Sequence, residues 1–315
     1  MRRASIRCGG SFAVALALAC PAIGQQPGGS PPPPAAPAAP AVRSPNDAIT
    51  AAAPADWADI DPADIILFEF DGGRSVVVQL APQFAPDHVA NIKQIVRSGH
   101  WGKATIYRVA DNWVTQWGAG EDEQEKSPPL PKGVKEQPDE EYSRSADGLS
   151  ILPSGSVDPY SQMSGFALNW PIAMHADGRV NLAFCYGTVG VARGPAPDTG
   201  AGSELFAMIG AASRRLDRNF AAVGRVLSGM EHLSALPRGT EPLGFYGPKQ
   251  TKIPLRSVRI GSDLPAAQRP RFQVLKQSSR AFADYLELAS HRRDYGFGSA
   301  GAALCGVPVP VRPAP

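Results

Sequence analysis

Arg108 and Gln116 are the side chains in this sequence whose types and spacing first suggest chemistry. Both fall in residues 106–121, IYRVADNWVTQWGAGE. A guanidinium is always charged and presents a rigid fork of donors. The two stand eight residues apart, and side chains along a strand alternate with a period of two. An unbroken strand would therefore turn both to one side. The stretch supplies strand material in Ile106, Tyr107, Val109, Trp113, Val114 and Thr115, although Ala110-Asp111-Asn112 interrupts it. Taken alone, it reads as a half-buried strand carrying one snorkelling arginine. Other segments must decide.

Other chemistries find little support. There is no Cys-x-x-Cys and no clustered His/Cys spacing of the kind zinc requires. The five histidines (His88, His100, His175, His232, His291) are scattered. With 31 basic and 29 acidic residues the formal net charge is only +2, which provides no electrostatic footprint for nucleic acid. Hydrophobic residues make up 43% of the chain, enough for a real core.

The N-terminus reads as an export signal over residues 1–24. Arg2, Arg3 and Arg7 precede an apolar run over 11–22, and Ala22-Ile23-Gly24 forms a small-x-small cleavage site before Gln25. The run is shorter than the roughly 20 apolar residues that span a bilayer, and no later segment supplies a transmembrane helix. Leu18-Ala19-Cys20 offers a lipoprotein-like alternative with Cys20 acylated, though Ala17 stands where a larger aliphatic is usual. Either way the mature chain is expected outside the cytoplasm, periplasmic or secreted. Residues 25–56, with PPPPAAPAAPA, read as an extended polyproline spacer that would tether the domain to the envelope.

The elements that must position Arg108 follow from residue 57 onward. Residues 65–70 and 75–80 flank Asp71-Gly72-Gly73-Arg74 as a hairpin. Pro86 and Asp87 open a helix whose Val89, Ile92, Ile95 and Val96 recur at helical spacing, and Ser98-Gly99 stops it. Residues 119–180 show no sustained period and read as a functional lid or a partly disordered insertion. Strand-like runs return at 180–191, 203–209, 219–227 and 255–260, with a short helix over 228–236. Residues 266–292 read as a helix with Phe272, Leu275, Phe282 and Leu286 on one face, and the tail GVPVPVRPAP as extended. Seven or eight short strands with two well-separated helices predict a mainly β protein. The expected form is a closed antiparallel barrel capped by two helices, with a C-terminal helical extension. The domains expected are a signal over 1–24, a linker over 25–56, the barrel over 57–262 and the extension over 263–315. Cys185 and Cys305 are the only cysteines of the expected mature chain. In an oxidising compartment they are candidates for a disulfide that pins the tail to the barrel edge.

In this order the segments resemble the cyclophilins, peptidyl-prolyl cis-trans isomerases with an eight-stranded antiparallel barrel closed by two helices. APDHVANIKQIVRSGHW is similar to the family's first helix, and IYRVADNWVTQWGAGE to its F-H-R-V-x-x-x-F-x-x-Q-G-G-D core. GTVGVARGPAPDTGAGSELFAMIG resembles G-x-L-S-M-A-R followed by S-Q-F-F-I. LDRNFAAVGRVLSGMEHL resembles L-D-x-x-x-x-x-F-G-x-V-x-x-G-M-x-V. The resemblance covers about residues 64–262.

It implies that Arg108 is the catalytic arginine and Gln116 the glutamine that orients it. It also implies that Trp113, Val114, Phe206 and Leu216 seat the substrate proline. Three positions depart from the family pattern. Glu204 replaces a glutamine, Arg215 an aromatic residue at the pocket border, and Phe220 a His or Tyr. If Glu204 reaches Arg108, an ion pair would compete with the substrate; otherwise it is a solvated loop carboxylate. The implied chemistry needs no metal or organic cofactor. It needs a pocket for the ring and a donor that favours the twisted amide. The partners implied are proline-containing exported polypeptides. The alternative reading is a non-catalytic cyclophilin-fold chaperone or binding module of the cell envelope. Intact Arg108 and Gln116 favour the enzyme; Glu204, Arg215 and the long insertion favour the binding module.

The export signal predicts that protein recovered from the cell envelope begins at Gln25 or within a residue or two of it. N-terminal sequencing checks this. An intact Met1 in the cytoplasm would contradict it.

Overall fold

In a computed structural model, the described residues are 43–120, 128–210, 214–293, 298 and 301–315. The expected signal, and the spacer up to residue 42, lie outside them. Among the described residues no helix is long and apolar enough to cross a membrane.

Eight antiparallel strands close a barrel. In spatial order they are Thr188–Val191, Glu204–Met208, Val114–Gly118, Thr105–Val109, Ile253–Ile260, Ile65–Phe70, Arg74–Leu80 and Ala222–Ser228. Closure removes the open edges that an eight-stranded sheet would otherwise expose. Inward-facing Phe68, Phe70, Ile106, Trp117, Val189 and Val223 fill the interior, and the Phe68 and Trp117 rings lie 5.1 Å apart. The helices Pro86–Arg97 and Met230–Ser234 cap it, and Val89, Ile92, Ile95 and Leu233 join the same core.

Residues 106–120 do not form one strand. They fold as a hairpin of Thr105–Val109 and Val114–Gly118, turning at Asp111-Asn112. Arg108 and Gln116 share a side because they pair directly across that hairpin. The register slips between Ile106 and Arg108, which leaves Tyr107 as an extra residue. Such a bulge sets two residues against one on the partner strand, so Tyr107 and Arg108 both address Gln116.

The insertion is ordered over its described part. Leu152–Pro153, Met163–Ala167, Trp170–Met174, Arg179–Leu182 and Arg144–Ser145 make a five-stranded antiparallel sheet. Its central hairpin turns at Leu168 and Asn169, both with positive φ (53° and 65°). Tight hairpins demand that backbone, but Asn-Gly is the sequence that announces it. The sheet is fastened to the barrel. Glu141 accepts from the Asp87 and His88 N–H groups (2.8 and 2.9 Å), capping helix Pro86–Arg97. Arg225 of the barrel donates to the Asn169 carbonyl and lies over the Trp170 ring.

Two other segments also differ from expectation. Residues 45–51 are a helix rather than spacer: Pro45 takes the first helical position, and Ser44 donates through both N–H and Oγ to Asp47. The single helix expected over 266–292 is instead the strand Phe272–Leu275 and the helix Arg280–Ser290. Pro270 holds Arg269 extended, and Ser279 accepts from the Phe282 N–H to start the helix afresh. Trp57–Asp59, Phe272–Leu275 and Val311–Pro313 form a third small sheet. These flanks bury Ala48, Trp57, Leu275, Phe282 and Val307 against Ile65 and Val77 on the outer face of the barrel.

Cys185 and Cys305 are joined by a disulfide across 120 residues, with Cα atoms 5.1 Å apart. Closing a loop of that length is worth about 4–5 kcal/mol in the chain-entropy model. Reduction, or Cys185→Ala with Cys305→Ala, should therefore lower the urea midpoint markedly. Equal midpoints would contradict the stabilising role.

Candidate active site

The site lies on three neighbouring barrel strands. Arg108 on Thr105–Val109 pairs with Gln116 on Val114–Gly118, and Gln116 pairs in turn with Phe206 on Glu204–Met208. A charged fork, its amide brace and an aromatic ring are thus set in one row by backbone pairing.

Arg108 is held on several sides. Its Nη1 donates to Gln116 Oε1 at 2.9 Å, and its Nε donates to the Leu243 carbonyl at 2.9 Å. The guanidinium carbon lies 4.7 Å from the Trp113 ring centre and 4.8 Å from that of Phe245. Cation–π contacts of this length add to the hydrogen bonds. Leu243 and Phe245 were not singled out in the sequence. They reach Arg108 because the loop before the last barrel strand pairs with the otherwise open half of Thr105–Val109: Tyr246 N–H donates to the Tyr107 carbonyl and Gly239 N–H to that of Val109. The available signal was Gly244. It has φ of 83°, and a Cβ there would lie 2.5 Å from the Ala110 Cα. Only glycine allows so close an approach with that backbone.

The expected proline seat comes together beside this fork. Val114, Phe206 and Leu216 are buried in one apolar cluster with Phe184, Met208 and Ala222, and Trp113 and Phe220 are partly buried at its margin. The Phe206 ring is stacked on Phe184 and meets Phe220 edge-on, both at 5.8 Å. These contacts fix the ring without a polar group. Arg215 is exposed.

Glu204 is not a loop residue; it opens the strand Glu204–Met208. Its Oε1 accepts from the N–H groups of Ala119 (3.0 Å) and Gly120 (3.2 Å), and its Oε2 accepts from the Tyr107 hydroxyl at 3.1 Å. Tyr107 in turn accepts from Gln116 Nε2. These bonds link Glu204 to Arg108 through two intermediates.

A buried charge cluster holds the Leu216 end of the seat. Arg214 donates to Asp158 Oδ2 at 2.8 Å and to Asp217 Oδ2 at 2.6 Å, with side chains only 5–6% exposed. Asp158 belongs to the insertion, so this pair ties the added sheet to the site. Asp217 also accepts from the Phe184 N–H. The two carboxylates move in opposite directions. Burial drives Asp217 above its usual range against the pull of Arg214. Burial also opposes the charge on Asp158, but hydrogen bonds from Ser161 and Arg214 outweigh it and hold that group below its usual range. Among the described residues no group of three or more His, Cys, Asp or Glu side chains converges as a metal site requires.

Comparison with known proteins bears on this geometry. The family model described as "Cyclophilin type peptidyl-prolyl cis-trans isomerase/CLD" matches residues 65–261. A "Probable peptidyl-prolyl cis-trans isomerase" of Brucella suis is 27% identical over 181 residues, covering 58% of this chain and 75% of the relative. The protein of the same description from Brucella abortus is similar to the same extent. The crystal structure of cyclophilin AquaCyp293 from Hirschia baltica superposes with a TM-score of 0.64 at 26% identity, covering 81% of this chain and 92% of that one.

Removing one member of a buried ion cluster leaves uncompensated charge, at a cost of about 3–5 kcal/mol. Arg214→Ala, which strands Asp158 and Asp217, should lose stability on that scale in urea denaturation. A loss under about 1 kcal/mol, the worth of an exposed pair, would contradict the buried cluster.

Proposed function

Because this chain belongs to the cyclophilin family, we propose that it is a peptidyl-prolyl cis-trans isomerase acting on proline-containing exported polypeptides, with Arg108 as its catalytic donor. One observation carries the reading: a guanidinium fixed by Gln116, Leu243, Trp113 and Phe245 stands beside a buried apolar cluster made of Val114, Phe206 and Leu216.

The chemistry follows from the amide. Partial double-bond character raises a rotation barrier of about 18–20 kcal/mol. As the bond twists, the proline nitrogen regains its lone pair and becomes an acceptor. A donor aimed there stabilises the twisted state more than the planar one, and only such a difference accelerates the step. Arg108 supplies the donor without giving up a proton. Because the donor is held before the substrate arrives, little reorganisation is spent at the moment of rotation. The ring seats on Phe206, Val114 and Leu216, with Trp113 and Phe220 at the edge, which restricts the proline while the preceding carbonyl turns. Export of the chain by the signal over residues 1–24, with the spacer after it as a tether, would place this activity among folding polypeptides outside the cytoplasm.

Arg108→Ala should lower kcat/KM for an Xaa-Pro peptide by two to three powers of ten, about 3–4 kcal/mol of lost stabilisation. Peptide affinity should fall far less, since the apolar seat remains. A folded wild-type protein that binds such peptides without any rate above buffer would contradict the enzyme reading and favour a binding module.

A further inference from the structure

We propose that Glu204 and Tyr107 are positioning residues for Arg108: a one-way chain of hydrogen bonds holds the Gln116 amide in the single orientation that braces the guanidinium. This rests on the reading of Arg108 given above. The chain runs from Arg108 Nη1 to Gln116 Oε1, from Gln116 Nε2 to the Tyr107 hydroxyl, and from that hydroxyl to Glu204 Oε2.

The direction is set at both ends. A guanidinium only donates, and a carboxylate only accepts. The Tyr107 proton therefore points to Glu204, the Tyr107 oxygen must accept from the Gln116 NH2 group, and the Gln116 carbonyl is left facing Arg108. An amide at position 204 can present either a donor or an acceptor, so it would not impose that order. The bond to an anion is also the stronger one.

Three local features build the chain. The bulge places Tyr107 and Arg108 against the one residue Gln116. Ala119 and Gly120 N–H groups hold Glu204 Oε1, and its Oε2 accepts from the Tyr107 hydroxyl. Gly118, paired across from Glu204, gives the carboxylate room to cross the strand, since a Cβ there would lie 1.5 Å from Oε2. Gly118 is not among the positive-φ glycines, so alanine fits its backbone. The clash would fall on the end of a flexible side chain and be relieved by turning the carboxylate away. Gly118→Ala thus evicts Glu204 from the chain without altering any of its members.

The test measures kcat and KM on an Xaa-Pro peptide for wild type, Glu204→Gln, Gly118→Ala and Tyr107→Phe, each also in a Gln116→Ala background. The side-chain amide resonance of Gln116 is followed by NMR in the same proteins. Each single change should lower kcat about three- to tenfold with KM within about twofold, as loss of one bracing bond implies. The Gln116 amide resonance should shift, and no further loss should appear once Gln116 is alanine. Unchanged kcat in both Glu204→Gln and Gly118→Ala would overturn the proposal. So would a loss that persists undiminished in the Gln116→Ala background. A wild type without isomerase activity would defeat the reading of Arg108 rather than the chain. The chain would then be judged on the Gln116 resonance: a shift in Gly118→Ala upholds it, and an unmoved signal overturns it.

Discussion

The structure depends on keeping one guanidinium still. A long flexible side chain loses up to about 2 kcal/mol of rotamer freedom when fixed, and in the function proposed above Arg108 serves as a donor only if that loss is met before a substrate binds. Here the fixing groups come from both sides of one strand. Gln116 and Trp113 belong to the hairpin partner and its turn, and Leu243 and Phe245 to the loop that completes the other side. A closed barrel is well suited to this, because its strands cannot slide without breaking the whole ring of pairing.

The parts added to the barrel act as braces. The insertion caps helix Pro86–Arg97 through Glu141 and supports the Leu216 segment through Asp158 and Arg214. The N- and C-terminal flanks share one apolar cluster on the outer face, closed by the Cys185–Cys305 disulfide. The first set holds the Leu216 end of the apolar cluster, and the second packs on the outer face of the barrel.

Much of this was legible in the sequence, and the rest was hidden for physical reasons. The barrel and its capping helices could be read because local periodicity carries them, and the grouping of Val114, Phe206 and Leu216 followed from the resemblance to the cyclophilins. Arg108 and Gln116 were expected on one side through a continuous strand; a hairpin with a bulge brings them there instead. Leu243 and Phe245 escaped because their contact with Arg108 spans some 135 residues. The five-stranded sheet escaped because two of its strands are only two residues long and its central turn is Leu168-Asn169. Glu204 read as either an ion-pair partner of Arg108 or a solvated loop carboxylate; strand register, with glycine opposite, shows it folded across onto Tyr107.

On the proposed function, a fixed Arg108 turns a proline seat into a catalyst. Two-dimensional exchange NMR of an Ala-Pro peptide, with protein far below the peptide concentration, tests it most directly. Cross-peaks between cis and trans resonances are expected with wild type and should vanish with Arg108→Ala while peptide-induced shifts remain. Peptide-induced shifts without exchange in the wild type, or equal exchange in both proteins, would contradict it.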